Sequence, residues 1–270
     1  MSKNNKNIDI AFSSCPNDTF VFHAMLNGLV DTQGLSFNAH IDDVESLNMK
    51  AKNSIYQVTK LSFAAWLKLK DKYDLLDSGA ALGFGCGPLL VARSENISID
   101  NALIAVPGID TTANMLFRLR YPHAKNITIT RFDEILPGIR ERKFDAGVII
   151  HEGRFVFKDY SCVQIIDLGE WWEHETSLPI PLGCIAIRRD AETIAHKDAI
   201  ESIIRDSIKY AFENPFASRE YVKSLAQEMD DQVIDQHIRF YVNEFTLSLG
   251  EKGREAIKKL EKMSGCMKTL

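Results

Sequence analysis

The sequence predicts an α/β protein built on mixed, mostly parallel sheets. Three observations predict it. Short β-branched runs alternate with segments of helical period along most of the chain. Polar or glycine-containing turns follow most of the apolar runs, as they do at strand ends. Two apolar stretches, Pro88–Arg93 and Cys184–Arg189, bracket a middle set of elements, and polar sequence follows each. Alternating β and α elements imply parallel pairing with helices on both faces. The bracketing stretches fit two arrangements. In one, the chain leaves a first lobe, builds a second and returns, making a hinge and a cleft. In the other, one continuous sheet runs throughout.

The elements follow in order. Ile8–Asp18 reads as a strand running into a turn, and Asp18–Val30 as a helix with Phe20, Met25 and Leu26 near helical spacing. Leu35–Ile41 is a strand, and Asp43–Asn53 a helix opened by acidic residues. Tyr56–Leu69 gives a short strand and then a helix. Gly83–Pro88 is a glycine-rich bend feeding an apolar strand. A second set follows: strand Ala102–Gly108, helix Asp110–Pro122, strand Asn126–Phe132, and a helix over Asp133–Phe144 that contains Pro137. Asp145–Glu152 is the next strand and Gly183–Asp190 the last. From Ala191 onward the pattern is almost wholly helical.

Composition narrows the function. The chain has 270 residues, formal net charge −5, 45% hydrophobic and 26% charged residues. Those are ordinary values for a globular protein. An acidic balance argues against a nucleic-acid partner, which needs a Lys/Arg surplus on one face. No run of 18 or more apolar residues predicts a membrane span, and the polar opening "MSKNNKNIDIAF" has no apolar h-region. The five cysteines are widely spaced without C-x-x-C, which argues against a disulfide framework or structural zinc. A reduced, cytoplasmic protein is expected. Cys15 and Cys86 fall in loop-like stretches, where packing or reactivity are both open.

Chemistry concentrates at strand ends. "FDAGVIIHEGRF" carries an apolar run straight into His151. Ligands in open α/β sheets sit beyond the carboxyl ends of strands, and histidine suits proton transfer near neutral pH. A structural histidine bonded to a carbonyl is the bland alternative. Phe155 stands where H-e-x-x-h would need its second ligand, so the stretch is not a metalloprotease motif. Thr111 and Thr112 open a helix after a strand, where N–H groups and the dipole favour a carboxylate or phosphate; one of them acting as a cap is the simpler alternative. Ser13, Ser14, Asn17, Asp18 and Thr19 crowd another such turn as a possible pocket wall, with Asn17 or Asp18 a candidate cap. Lys60 and Ser62 share one face of an extended segment, and spacing favours a solvated lysine. "GFGCGP" is not a dinucleotide fingerprint, because Pro88 replaces its third glycine and a strand follows; it reads as backbone flexibility near a hinge or pocket. The aromatics of "GEWWEHETSLPIPLG" line a cleft or fill a core.

In order along the chain, "CPNDTFVFHA", "DVESLN", "TKLSFAA", "GPLLVAR", "VPGIDTTA", "GVIIHEGRF", "IDLGEWWE" and "LPIPLG" together resemble the 1,4-dihydroxy-6-naphthoate synthases of menaquinone biosynthesis. The resemblance runs from about Ile8 to the segment Tyr241–Gly253. It implies a two-lobed, type II periplasmic-binding-protein-like fold with a central cleft, with residues 1–94 and 185–270 in one lobe and 95–184 in the other. It implies a carbon–carbon lyase acting on cyclic dehypoxanthinyl futalosine, with His151 as general base. Substrate contacts fall on Lys60, Leu61 and Ser62 and on Thr111, Thr112 and Ala113. A small-molecule substrate is expected, and no metal, nucleotide, flavin, nucleic acid or membrane partner. Two positions depart from the family pattern: Ser14 where a proline is expected, and Ser177 where a glycine is expected. A non-catalytic solute-binding protein and a chorismate dehydratase of the same fold are the rival readings.

Overall fold

The computed structural model describes residues 6–226 and 230–266. Eleven strands occur among them: β1 (Lys6–Phe12), β2 (Leu35–Ile41), β3 (Val58–Ser62), β4 (Tyr73–Leu75), β5 (Ala81–Gly83), β6 (Leu89–Ala92), β7 (Ile104–Val106), β8 (Ile127–Ile129), β9 (Ala146–Ile149), β10 (Val163–Asp167) and β11 (Ile180–Arg188). The first sheet runs β2-β1-β3-β11-β4, with β5 beside β11. The second runs β10-β6-β9-β7-β8. Strands that alternate with helices pair parallel: β1 with β2 and β3, and β7 with β8 and β9. Antiparallel pairs form where the chain changes course: β11 with β3 and β4, and β6 with β9 and β10.

The chain divides into two compact units. One takes the described residues up to Ala81 together with those from Gly183 to Gly250; the other takes Leu82–Leu182 and the described residues from Glu251 onward. The sequence-based expectation divided the chain at 94/95 and 184/185 instead. Two facts account for the difference. β6 pairs with β9 and β10 in the second sheet, so its strand lies beyond the first boundary. The last helix, Gly250–Cys266, clusters with the second unit although it follows the first in sequence.

Each unit has its own core. In the first, Ile8, Ile10 and Phe12 of β1 pack with Phe22 and with Ile200, Ile203, Ile204 and Ile208 of the helix Lys197–Glu213. Those isoleucines recur at the three- and four-residue steps of one helical face. Fully burying each such side chain is worth about 1.5–3 kcal/mol. In the second unit Leu89, Val91, Ala105 and Ile149 pack under Ile135, Leu136 and Ile139 of the helix Phe132–Arg140. That helix passes through Pro137, as its sequence pattern predicts. Strands β3, β7 and β9 are buried at every position, the mark of strands covered on both faces. Six elements were not read from the sequence: β4, β5, β10, the helices Gly153–Val156 and Leu168–Thr176, and the 3-10 helix Phe157–Tyr160.

Candidate functional site

Two polar constellations stand out, one in each unit. The first is buried. Lys60 on β3 is 5% exposed, where the sequence favoured a solvated lysine. Its Nζ donates to Asp18 Oδ1 at 2.5 Å. The buried partner explains the difference, since an unpaired ammonium would not tolerate that site. Gly183, beside it on β11, leaves room for the stem: a Cβ there would meet Lys60 Cε at 3.0 Å.

Asp18 lies in the first turn of the helix Pro16–Leu26 but does not cap it. Cys15 is the N-cap residue, and no side chain fills that role. Asp18 Oδ2 instead accepts from Ser13 N at 3.2 Å and Ser13 Oγ at 2.7 Å, while Oδ1 also accepts from Asn17 Nδ2 at 2.8 Å. With its amide nitrogen on a carboxylate, Asn17 turns its oxygen to His237 Nε2, 3.0 Å away. An amide oxygen only accepts, so His237 carries its proton on Nε2. The chain Lys60–Asp18–Asn17–His237 thus joins three distant segments in one buried string. Asn48 does similar work next door: Ser62 N donates to its Oδ1 at 3.0 Å, and its Nδ2 lies 3.1 Å from Ser62 Oγ.

Other expected residues of this unit have plainer surroundings. Thr19 is fully buried and donates to Cys15 O and Pro16 O, which is a helix-internal role. Ser14 is half-buried. Leu61 is fully buried in the strand opposite Cys184.

The second constellation lies along one edge of the second sheet. β7, β8 and β9 are parallel, so the turns after all three emerge on the same side. The turn after β7 holds Thr111 and Thr112, and the turn after β9 holds His151. His151 sits two residues past the strand end, half-buried, with a backbone φ of +55°. Its ring meets the edge of Phe132, the residue opening the helix after β8, at 5.1 Å between centroids. A left-handed histidine is uncommon and costs energy that the surroundings must offset.

Thr111 is the N-cap of the helix Thr112–Arg120. Its Oγ1 accepts from Asn114 N and donates to Gly108 O. Thr112 Oγ1 donates to Leu182 O at 2.7 Å. The hydroxyls therefore serve the local structure, and donors for an anion here would be main-chain N–H groups. Ala113 is buried.

The segment around "GFGCGP" is tied down where the sequence suggested flexibility. Gly85 N donates to Glu173 Oε1 at 2.6 Å. Gly87 lies against Gly169, and a Cβ on Gly87 would come within 2.3 Å of the Gly169 Cα, so two glycines are needed for this approach. Cys86 is buried, and burial, helped by the charge of Glu173, pushes its thiol up to about 12. Cys15 is buried too. Trp172 is fully buried and donates from Nε1 to Pro179 O, which makes it a core residue. Among the described residues no three His, Cys, Asp or Glu side chains gather as a metal site, and no helix is long and apolar enough to cross a membrane.

Residues 8–265 match the family model described as menaquinone biosynthesis. A 1,4-dihydroxy-6-naphthoate synthase of Thermus thermophilus is 42% identical over 252 residues, covering 93% of this chain and 91% of its own. The crystal structure of protein AF1704 from Archaeoglobus fulgidus superimposes with a TM-score of 0.92 at 38% identity, covering 98% of both chains. The Candida albicans CA3427 gene product, described as having the generic periplasmic binding protein fold, matches with a TM-score of 0.68 at 13% identity, covering 96% of this chain and 90% of its own. The fold is therefore periplasmic-binding-protein-like.

Proposed function

Because the chain belongs to the menaquinone-biosynthesis family, we propose that it catalyses the reaction of its relatives, converting cyclic dehypoxanthinyl futalosine to 1,4-dihydroxy-6-naphthoate. The observation that carries the assignment of the base is His151, held in a left-handed turn at the edge where β7, β8 and β9 end. Histidine can accept a proton there near neutral pH. In this reading His151 removes a proton from the substrate, fragmentation releases the sugar-derived part, and formation of the aromatic ring makes the step favourable. A positioned base contributes about 10²–10⁴-fold.

The substrate's carboxylate is held by the main-chain N–H groups at Thr112 and Ala113, where the helix dipole favours negative charge. Thr111 and Thr112 shape that turn through their hydroxyl bonds. Lys60 donates one of its three N–H groups to Asp18, leaving two for a polar group of the substrate. Leu61 and Ser62 follow it on the same strand. The compartment we propose is the cytoplasm, in keeping with biosynthetic relatives.

The test uses purified protein and His151→Asn, each incubated with cyclic dehypoxanthinyl futalosine, with product followed by mass spectrometry. Product from the parent and on the order of 10²-fold less from the variant is expected. Equal turnover in the variant would remove His151 from the role. No product from the parent, with heat of binding in calorimetry, would favour a solute-binding protein; turnover of chorismate instead would favour the dehydratase.

A further inference from the structure

We propose that Arg154 is the positioning residue that holds His151 in its working orientation. The proposal rests on the reading of His151 as the base.

The left-handed backbone at His151 needs support from its surroundings. The short helix just after it, Gly153–Val156, has no fully buried residue, although Val156 packs against the core of this unit. Polar contacts add an anchor. Arg154 Nη1 donates to Gly87 O at 2.6 Å, and Nη2 donates to Asp167 Oδ2 at 2.5 Å. Arg154 N also donates to His151 O at 3.3 Å, so the anchored residue is bonded directly to the histidine's own peptide.

Both acceptors are themselves fixed. The Asp167 side chain is 1% exposed. Its other oxygen, Oδ1, accepts from Gly169 N at 2.8 Å and Glu170 N at 3.2 Å, capping the helix Leu168–Thr176. Gly87 is pressed against Gly169 so closely that neither tolerates a Cβ without movement. Arg154 thus reaches a frame made of two glycine backbones and one immobilised carboxylate. A guanidinium suits this task because its donors are set in a rigid planar fork; lysine offers a single point.

The experiment measures Arg154→Met, Arg154→Lys and Asp167→Asn, each alone, with Arg154→Met also placed in the His151→Asn background. Asp167→Asn removes the charge facing Arg154 while an amide oxygen can still cap the helix, so it probes the anchor in a chain that keeps its cap. Single-turnover reactions with enzyme in excess keep slow variants measurable, and circular dichroism with thermal melting follows folding. Displacing a base by about an ångström can cost on the order of 10²-fold. The expected result is a kcat about 10–100-fold lower for each single variant, with KM within about threefold of the parent. In the His151→Asn background, Arg154→Met should change the remaining rate by less than about twofold, because there is no base left to position. A residue that served stability alone would lower the melting temperature and leave kcat in place, which overturns the proposal. So does an equal loss in both backgrounds. If His151→Asn itself turns over like the parent, the base assignment fails first. If that variant is slow and Arg154→Met runs at the parent rate, the base stands and the positioning role falls.

Discussion

Replacing Lys60 by Met tests the buried string of the first unit. The Lys60 and Asp18 side chains are 7% and 4% exposed, with 2.5 Å between Nζ and Oδ1. At an effective dielectric of about 20, their attraction is about 7 kcal/mol. Burying the two charges costs several kcal/mol each, so the pair as a whole adds little relative to apolar residues. Removing one partner is different, because the other charge stays buried; the usual loss is about 3–5 kcal/mol. Asp18 keeps donors from Ser13 and Asn17, which places Lys60→Met near the lower end, about 3 kcal/mol. With a urea slope of about 1–3 kcal/mol/M, the midpoint should fall by about 1–3 M. Asp18→Asn in the same chain removes the stranded charge, so the double variant should recover at least about 1 kcal/mol relative to the sum of the singles. Urea unfolding followed by far-ultraviolet circular dichroism reads all four proteins. Single losses that add to within about 0.5 kcal/mol would refute the reasoning, because the two groups would then not be energetically coupled.

Three further outcomes follow from the second unit. His151→Gly should raise stability by about 1 kcal/mol by relieving the left-handed backbone, while lowering turnover about 10²–10⁴-fold; a lower melting temperature would contradict the strain argument. Ser177 closes the helix Leu168–Thr176 with φ +57°, and its N–H donates to Glu173 O, so Ser177→Gly should gain about 1 kcal/mol in thermal unfolding; no gain would mean the serine makes a compensating bond. Cys86 should resist iodoacetamide at pH 8 in the native protein and react once unfolded, as peptide mapping by mass spectrometry will show; ready native labelling would contradict its burial. The unfolded thiol ionises near 9 and the folded one near about 12, so the stability gained by keeping it protonated is complete below pH 9 and is lost as pH rises towards 12.

Much of the architecture was legible because it is local. β-branched runs such as "VTKLS" and helices opened by Asp43 or Thr111 carry their own signals, and the caps form as the residue types suggest. Strand direction is not local. Nothing in the periodicity of Leu89–Ala92 says that it pairs with Ala146–Ile149 and not with the first sheet. β10 escaped notice because its residues are mostly half-buried and alternate weakly. The site divides in the same way. His151 and the threonines announce themselves at strand ends, but the Lys60 environment depends on a partner 42 residues away, and His237 meets Asn17 across 220 residues. Arg154 stood in view within "HEGRF"; its use became visible only when Gly87 and Asp167 were brought to it.

The central place of β11 has a consequence for how the protein is born. β11 lies between β3 and β4, pairing Gly183–Ile187 with Val58–Ser62. A ribosome adding about 5–20 residues per second needs roughly 6–24 s to travel from the end of β3 to the start of that pairing. Throughout that interval β3 has an open hydrogen-bonding edge, while every strand of the second sheet is synthesised. The nascent chain thus acquires its second sheet before it can close its first. An unpaired edge is a template for wrong partners, so slow translation or heat during synthesis should expose the amino-terminal segment to chaperones and to aggregation long before any enzyme activity exists to be lost.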